Sequence, residues 1–321
     1  MTHQATLFGG SGFIGSQTGG ALLRRDWRLR IVARKPQVAQ ALRPLGEVGQ
    51  VQIKAGDVRR DEHVAEAVRG SELVVNFVGI LHEGPGQSFD DVHVEAAERI
   101  ARIAREAGVQ RLIHVSALGA DAGSASKYAR SKAEGERAVA AAFPGAIIVR
   151  PSVVFGPGDD FLNRFARMAA FAPALPLVGG GSTRFQPVYV GDVADAIARL
   201  AVARDVADRP YELTGPSTYT FKELMELILS ETNRQRPLVP LPFGVAGMIG
   251  AMGDLMAAVG LTPPLTRDQV ELLKTDNVAA DGAPGLEAIG VRPTGLEAVA
   301  ESYLWRYRQG GQFAEGTAAR A

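Results

Sequence analysis

Three glycines near the start of the chain constrain its fold more than any other feature. Gly9, Gly12 and Gly15 are spaced G-x-x-G-x-x-G, after the short apolar run Ala5–Phe8 and before an apolar stretch reaching Leu23. Glycine permits a tight turn, lets backbone N–H groups approach a pyrophosphate and allows a helix to close on a strand. The helix N-terminus then offers partial positive charge to the phosphates. The bland alternative is a plain glycine-rich strand–helix turn. The position at the opening of a β-α-β unit instead favours a dinucleotide cradle made by Gly9, Gly12, Phe13, Ile14 and Gly15.

The rhythm continues through the first half. Leu29–Ala33, Val51–Lys54, Leu73–Val78, Arg111–Val115 and Ala146–Val149 read as strands, and Ser126–Ala142 as a long helix. Between Val92 and Ala107, Ala96, Ile100, Ile103 and Ala104 recur at helical spacing. Repeated β-α units of this length predict an α/β fold, a Rossmann-type doubly wound parallel sheet. After Arg150 prolines and glycines become frequent. Residues 1–150 are therefore expected to form the dinucleotide-binding domain, with segments around 185–203 returning to it. Residues 151–310 would form a smaller C-terminal lobe and 311–321 a flexible tail. In that lobe Val188–Val190 and Tyr211–Leu213 read as strands, and Asp192–Val202, Phe221–Glu231, Arg267–Leu273 and Leu296–Arg308 as helices.

The choice of nucleotide rests on the end of the second strand. An acidic residue about 20 positions after the glycines would bind the ribose 2′-hydroxyl of NAD. Arg34 stands there instead, followed by Lys35. A guanidinium pairs with a 2′-phosphate that a carboxylate would repel, so NADP(H) is favoured while NAD(H) stays possible. The competing reading is a solvated basic face, since Arg24, Arg25, Arg28 and Arg30 precede. Asp57 and Val58 follow the third strand, where a carboxylate can accept from an adenine amino group. Asn76, Val78 and Gly79 end the fourth, with Gly79 leaving room for the cofactor.

Ser116 ends the fifth strand; Tyr128 and Lys132 lie one helical turn apart on the following helix. A phenol with a pKa near 10 carries protons poorly at pH 7, and a neighbouring ammonium would favour its phenolate. Lys132 could also hold the nicotinamide ribose, and Ser116 could orient a substrate carbonyl or hydroxyl. Each has a bland reading as strand-end hydroxyl, core aromatic or surface charge. Together, behind a dinucleotide cradle, they read as a catalytic group.

Composition removes other classes. Lys plus Arg is 35 and Asp plus Glu is 35, which argues against broad nucleic-acid binding. There is no cysteine, hence no disulfide, thiolate catalysis or iron–sulfur cluster. The five histidines show no metal-ligand spacing, so no metal is expected. Met1-Thr2-His3-Gln4 lacks the basic start of a signal peptide. The uncharged stretch Pro237 to Gly253 is broken by three prolines and four glycines and is too short to span a bilayer. A cytoplasmic chain, at most peripheral on a membrane, is expected.

The runs Gly9-Gly10-Ser11-Gly12-Phe13-Ile14-Gly15, Ser116, Tyr128-x-x-x-Lys132 and Arg150-Pro151-x-x-Val154-Phe155-Gly156-Pro157-Gly158-Asp159 resemble the extended short-chain dehydrogenase/reductase superfamily. That group includes NAD-dependent epimerases and dehydratases. The likeness implies a Rossmann domain, a lobe over the nicotinamide, and cofactor contacts from Tyr128, Lys132, Pro151 and Val154. Two departures weaken a nucleotide-sugar epimerase reading. His93 stands where extended members often carry asparagine, and Val190-Gly191-Asp192 replaces the more usual acidic pair. A closer likeness runs through His114–Leu118, Ser126–Glu136, Phe143–Pro151, Asp160–Ala166, Gln186–Val190 and Thr266–Glu271. These resemble the dehydrogenase-like accessory subunit of respiratory complex I (NADH:ubiquinone oxidoreductase) and its bacterial relatives. The resemblance implies tightly held NADPH, partners within complex I, and a place on the cytoplasmic face of the inner membrane, or the matrix side if mitochondrial.

One further stretch stands out. Gly244, Gly247, Gly250 and Gly253 recur every third residue, and Met248, Met252 and Met256 every fourth. Residues 238–260 are either a pocket roof or a docking surface for a partner or the membrane. Three functions follow: an accessory subunit with little or no turnover, a free NAD(P)-dependent oxidoreductase or epimerase of unknown small-molecule substrate, and an NADP(H) redox sensor.

Overall fold

The computed structural model of the chain describes residues 3–311; of the expected tail, residues 312–321 lie outside them. Seven parallel strands form the main sheet, in the order β11-β6-β5-β4-β1-β2-β3. They are β1 (Gln4–Phe8), β2 (Arg28–Ala33), β3 (Val51–Ala55), β4 (Leu73–Asn76), β5 (Arg111–Val115), β6 (Ile147–Pro151) and β11 (Tyr211–Leu213). The numbering steps outward from β1 in both directions, so the order reverses between β1 and β4. In such sheets the ligand crevice lies outside the carboxyl ends of the strands at that reversal. Here Phe8 pairs with Asn76, which brings the loops after both strands side by side.

Helices cover both faces because both faces are apolar. Every residue of β4 is buried, as expected of a central strand enclosed on two sides. One face packs α1 (Phe13–Leu23) and α7 (Val190–Leu200) through Leu22, Val193 and Ile197. The other packs α3 (Asp61–Val68), α4 (Ala96–Glu106) and α5 (Lys127–Ala142) through Val64, Ile100 and Val139. A short helix, α2 (Pro36–Ala39), follows β2.

The second lobe is built on three two-stranded ribbons: β7 (Val154–Phe155) with β10 (Val188–Tyr189), β9 (Arg184–Phe185) with β12 (Tyr219–Thr220), and β8 (Leu175–Val178) with β13 (Leu238–Leu241). Around them lie α6 (Phe161–Phe171), α8 (Phe221–Glu231), α9 (Phe243–Ala258), α10 (Arg267–Leu272) and α11 (Glu297–Leu304). Phe155, Phe185 and Phe221 form its core with Leu162, Leu224 and Tyr303. Thr220 opens α8 with a capping box, its hydroxyl accepting from the Glu223 N–H while the Glu223 carboxylate accepts from the Thr220 N–H.

Several expected boundaries move for physical reasons. The apolar run Leu73–Val78 stops being a strand at Asn76, whose Oδ1 accepts the Val78 N–H at 3.0 Å and turns the chain. The helix expected from Val92 starts earlier, as a π-turn over Asp90–Glu95 that carries His93. The last helix tightens into a 3₁₀ turn at Trp305–Tyr307. Helices α3 and α6 were not expected at all. Sheet membership also extends past the segment around 185–203: α7 lies on α1, and β11 adds Tyr211–Leu213 to the sheet edge.

Candidate functional site

The cradle follows from what the three glycines leave out. Gly9 has φ +75°, a left-handed conformation that lets the chain turn off β1 beneath Phe77 and Val78. Gly12 caps α1 from an extended conformation, and its N–H donates to the Gly9 carbonyl at 3.0 Å. Gly15 permits the close approach: a β-carbon there would stand 2.6 Å from the Gly9 oxygen. No side chain caps α1. The N–H groups of Phe13, Ile14 and Gly15, which have no acceptor within the helix, are left facing the turn. These bare amides fit the diphosphate of a dinucleotide.

From the cradle a crevice of about 270 Å³ runs between the loops after β1, β2, β3 and β4. Of the residues expected in the cofactor site, Gly9, Gly12, Arg34, Asp57, Val58, Val78 and Gly79 line it. Arg34 is exposed and forms no ion pair among the described residues, so its guanidinium is free for an anion. Lys35 starts the turn into α2 and does not line the crevice.

Asp57 is not free. Arg59 clasps it with Nε at 3.0 Å from Oδ1 and Nη2 at 2.7 Å from Oδ2, which holds the carboxyl down at about 2. The same guanidinium sends Nη1 across to the Gly86 carbonyl at 2.7 Å. Arg59 and Gln87, neither expected from sequence, also line the crevice. The segment Glu83–Gln87 becomes a strap beside the crevice. It reaches α9, where a methyl on Gly84 would lie 3.6 Å from the Ala257 carbonyl oxygen.

The expected catalytic group sits at the other end. Ser116 follows β5, and its Oγ is buried with no hydrogen-bond partner among the described residues. Lys132 is buried on α5, and its Nζ donates to the Val115 carbonyl at 3.3 Å. Burial brings its pKa down to about 8, against the pull of Glu136. A methyl on Gly79 would lie 3.4 Å from this Nζ, so Gly79 is where the crevice meets the lysine.

Tyr128 departs from expectation. Burial, then the carboxylate of Asp268, push its phenol up to about 12. Both hold the phenol neutral, against the phenolate that the lysine spacing predicts.

Two histidines complete the cluster, and hydrogen bonds assign their tautomers. The Ile80 N–H donates to His93 Nε2 at 3.0 Å, so Nδ1 carries the proton and donates to Ser131 Oγ at 2.9 Å. Ser131 in turn donates to the Tyr128 carbonyl at 2.8 Å. The His93 ring meets Tyr128 edge-on, with centroids 5.4 Å apart. At His114, Nδ1 accepts from Asn76 Nδ2 at 3.1 Å, and Nε2 is a buried donor without a partner. Burial, then the Lys132 charge, push both histidines down to about 3. Asn76 is therefore a positioning group, turning the chain and holding His114. His93 replaces the expected asparagine with a neutral ring that braces the tyrosine.

Pro151 and Val154 do not line the crevice. The Pro151 carbonyl accepts the Leu118 N–H at 2.9 Å, and Val154 pairs with Val188 in a ribbon. Asn277, with no sequence signal, ties this turn to the Ser116 loop. It accepts from Ser152 Oγ at 2.7 Å and donates to the Leu118 carbonyl at 3.2 Å.

The fold and the cradle define a nucleotide-binding class, and the family model that fits residues 5–213 names it. The chain belongs to the NAD dependent epimerase/dehydratase family. Within that breadth it is 39% identical over 306 residues to the mouse protein "NADH dehydrogenase [ubiquinone] 1 alpha subcomplex subunit 9, mitochondrial", covering 95% of this chain and 80% of the relative. It is 31% identical over 274 residues to the ceramide reductase of Caulobacter vibrioides, covering 84% of each. The Thermus thermophilus UDP-glucose 4-epimerase, solved with NAD, shares the fold at a TM-score of 0.67 and 20% identity, over 95% of this chain and 98% of that one. Homology to complex I subunits and an NAD(P)-type nucleotide fold are thus both features of this chain.

Proposed function

We propose that the chain is an NADP(H)-holding accessory subunit of a respiratory NADH:ubiquinone oxidoreductase, in which the nucleotide holds shape and turns over little or no substrate. The observation that carries this is 39% identity to a complex I subunit over an alignment spanning 95% of the chain, well beyond the nucleotide-binding half. Arg34, free at the crevice rim, is the 2′-phosphate contact that selects NADP(H) over NAD(H). The bare amides of Phe13, Ile14 and Gly15 hold the diphosphate, and the Arg59 clasp keeps the strap against the adenosine half.

The docking surface is α9. Met248, Met252, Leu255 and Val259 are exposed there, Leu255 at 71%. Gly250 and Gly253 face inward, where a β-carbon on Gly253 would stand 1.8 Å from the Leu265 oxygen; Gly244 and Gly247 have open space outside. The helix carries one charged residue, Asp254, and no lysine or arginine. Peripheral helices on anionic lipid use basic residues, so a neighbouring protein subunit is the occupant, on the cytoplasmic or matrix side of the membrane. Among the described residues no helix is long and apolar enough to cross a membrane.

The test is to denature the purified protein and identify the released nucleotide, and to run detergent-solubilised membranes on a native gel. Stoichiometric NADPH and co-migration with complex I activity are expected. A chain found only in the soluble fraction, or one releasing no nucleotide, overturns the reading.

A second reading, a carbonyl reductase, is favoured by the unpaired Ser116 Oγ and the likeness to ceramide reductase. Bound NADPH would supply the hydride. Ser116 would then donate to the carbonyl oxygen and Tyr128 would give it a proton, with Lys132 holding the ribose. Turnover that collapses in Tyr128→Phe supports this reading; equal rates in both proteins defeat it.

A further inference from the structure

We infer that Asp268 is a positioning residue for Tyr128: the second lobe delivers its carboxylate onto the first turn of α5 and so fixes where the tyrosine sits. This rests on the reading of Tyr128 as part of the nicotinamide side of the site. The run Thr266–Glu271 contributes to the family likeness, but no site role was expected for any of its residues.

An α-helix begins with N–H groups that its own turns cannot satisfy. In α5 those donors are accounted for in two tiers. Asp268 Oδ1 accepts the Lys127 N–H at 2.6 Å, and Oδ2 accepts the Tyr128 N–H at 3.1 Å. Oδ2 also accepts from Ser126 Oγ at 2.8 Å, while that same hydroxyl accepts the Ala129 N–H at 3.2 Å. Ser126 alone satisfies one donor. The carboxylate, from a residue 140 positions away from Tyr128, satisfies the other two.

Asp268 is itself held. Thr266 opens α10 with a capping box to Gln269, Val270 is buried, and α9 lies on the start of α10, where a β-carbon on Gly250 would stand 2.7 Å from the Arg267 nitrogen. The lobe therefore reaches the tyrosine through one carboxylate. The charge acts as well as the hydrogen bonds: an anion over a helix N-terminus is favourable, and beside a phenol it disfavours the phenolate. Packed against the Tyr128 ring are the neutral His93 and Phe89 from the π-turn region, and Asp268 reaches its N–H from α10. Asp268 is the one anion among them.

The test uses the full chain with Asp268→Asn, which keeps the shape and removes the charge. Tyrosine ¹³Cζ resonances are followed between pH 8 and 11, with Tyr128→Phe identifying the signal. Titration of Tyr128 should begin at lower pH in the variant. NADPH binding should weaken by about threefold to tenfold, the scale of a helix-terminus charge. Binding of 2′,5′-ADP, which reaches only the adenine side, should hold within about twofold. A folded variant with wild-type tyrosine titration and wild-type NADPH affinity overturns the inference. If the wild type binds neither nucleotide, the cofactor reading falls while the titration still decides the role of Asp268. Should the variant fail to fold, amide exchange in the wild type decides: protection of Lys127 and Tyr128 like that of the helix interior supports the cap, and free exchange defeats it.

Discussion

A single methyl group tests the cradle on which the nucleotide reading stands. In Gly15→Ala the new carbon would lie 2.6 Å from the Gly9 oxygen and 2.7 Å from Gly10 Cα. Both are backbone atoms, so no soft side chain can yield. Recovering ordinary contact at 3.4 Å opens the turn by 0.8 Å, the difference between 3.4 and 2.6. Amides poised at about 2.9 Å from a phosphate oxygen would retreat to about 3.7 Å, beyond hydrogen-bond range. Each such bond to a charged group contributes about 1.5–3 kcal/mol, so losing one weakens binding about tenfold to hundredfold. Overpacking also costs stability, about 1–3 kcal/mol. Gly20→Ala on the same helix is the control, because its methyl meets only the tip of Arg24 at 3.5 Å. It should stabilise by up to about 1 kcal/mol and leave binding alone. NADPH titration calorimetry and thermal melts read both effects. Wild-type NADPH affinity in a folded Gly15→Ala protein would refute the argument that backbone amides in this turn grip the diphosphate.

Three other outcomes follow from the same geometry. Arg34→Ala should weaken NADPH about tenfold to hundredfold and hardly touch NADH, the scale of one charged hydrogen bond; equal losses in the two titrations would remove Arg34 from the 2′-phosphate. His93 and His114 titrate near 3 in the fold and near 6.5 when unfolded, so their stabilising effect is whole above 6.5 and lost as pH falls towards 3. In His114→Phe the slope of unfolding free energy against pH between 6 and 4 should drop by about 1.4 kcal/mol per unit, read from urea melts; unchanged slopes would contradict a buried neutral ring. Leu255→Glu, on the exposed face of α9, should leave the melting temperature within about a degree and abolish co-migration with complex I. Retained co-migration would move the docking surface elsewhere.

Most of the sheet was legible because its signals are local. Strand signals lie within a few residues, and β1, β5 and β11 appear in the sequence almost at their final bounds. The cradle was legible for the same reason, since turn, helix start and close packing are all made by residues within a few positions of one another. Where a side chain redirected the backbone, the pattern misled. Asn76 ends an apolar run that looked two residues longer.

The electrostatics of the site were hidden because they depend on partners remote in sequence. The i, i+4 spacing of Tyr128 and Lys132 was visible, yet proton affinity depends on what else surrounds a phenol. That proved to be burial and a carboxylate from α10. Arg59 shows the same limit: two residues from Asp57, it reads as an ordinary surface charge until the Glu83–Gln87 strap brings the Gly86 carbonyl to it. The glycine stripe of α9 marks the boundary between what was legible and what was not. Its period was visible, but only the packing divides it, with Gly250 and Gly253 seating the helix and Gly244 and Gly247 left open. A helix that spends two glycines on its own lobe and keeps an apolar face outward gains little from its intrinsic propensity. On the proposed function its outward face serves a neighbouring subunit, while its inward face packs on the segment that carries Asp268 over α5.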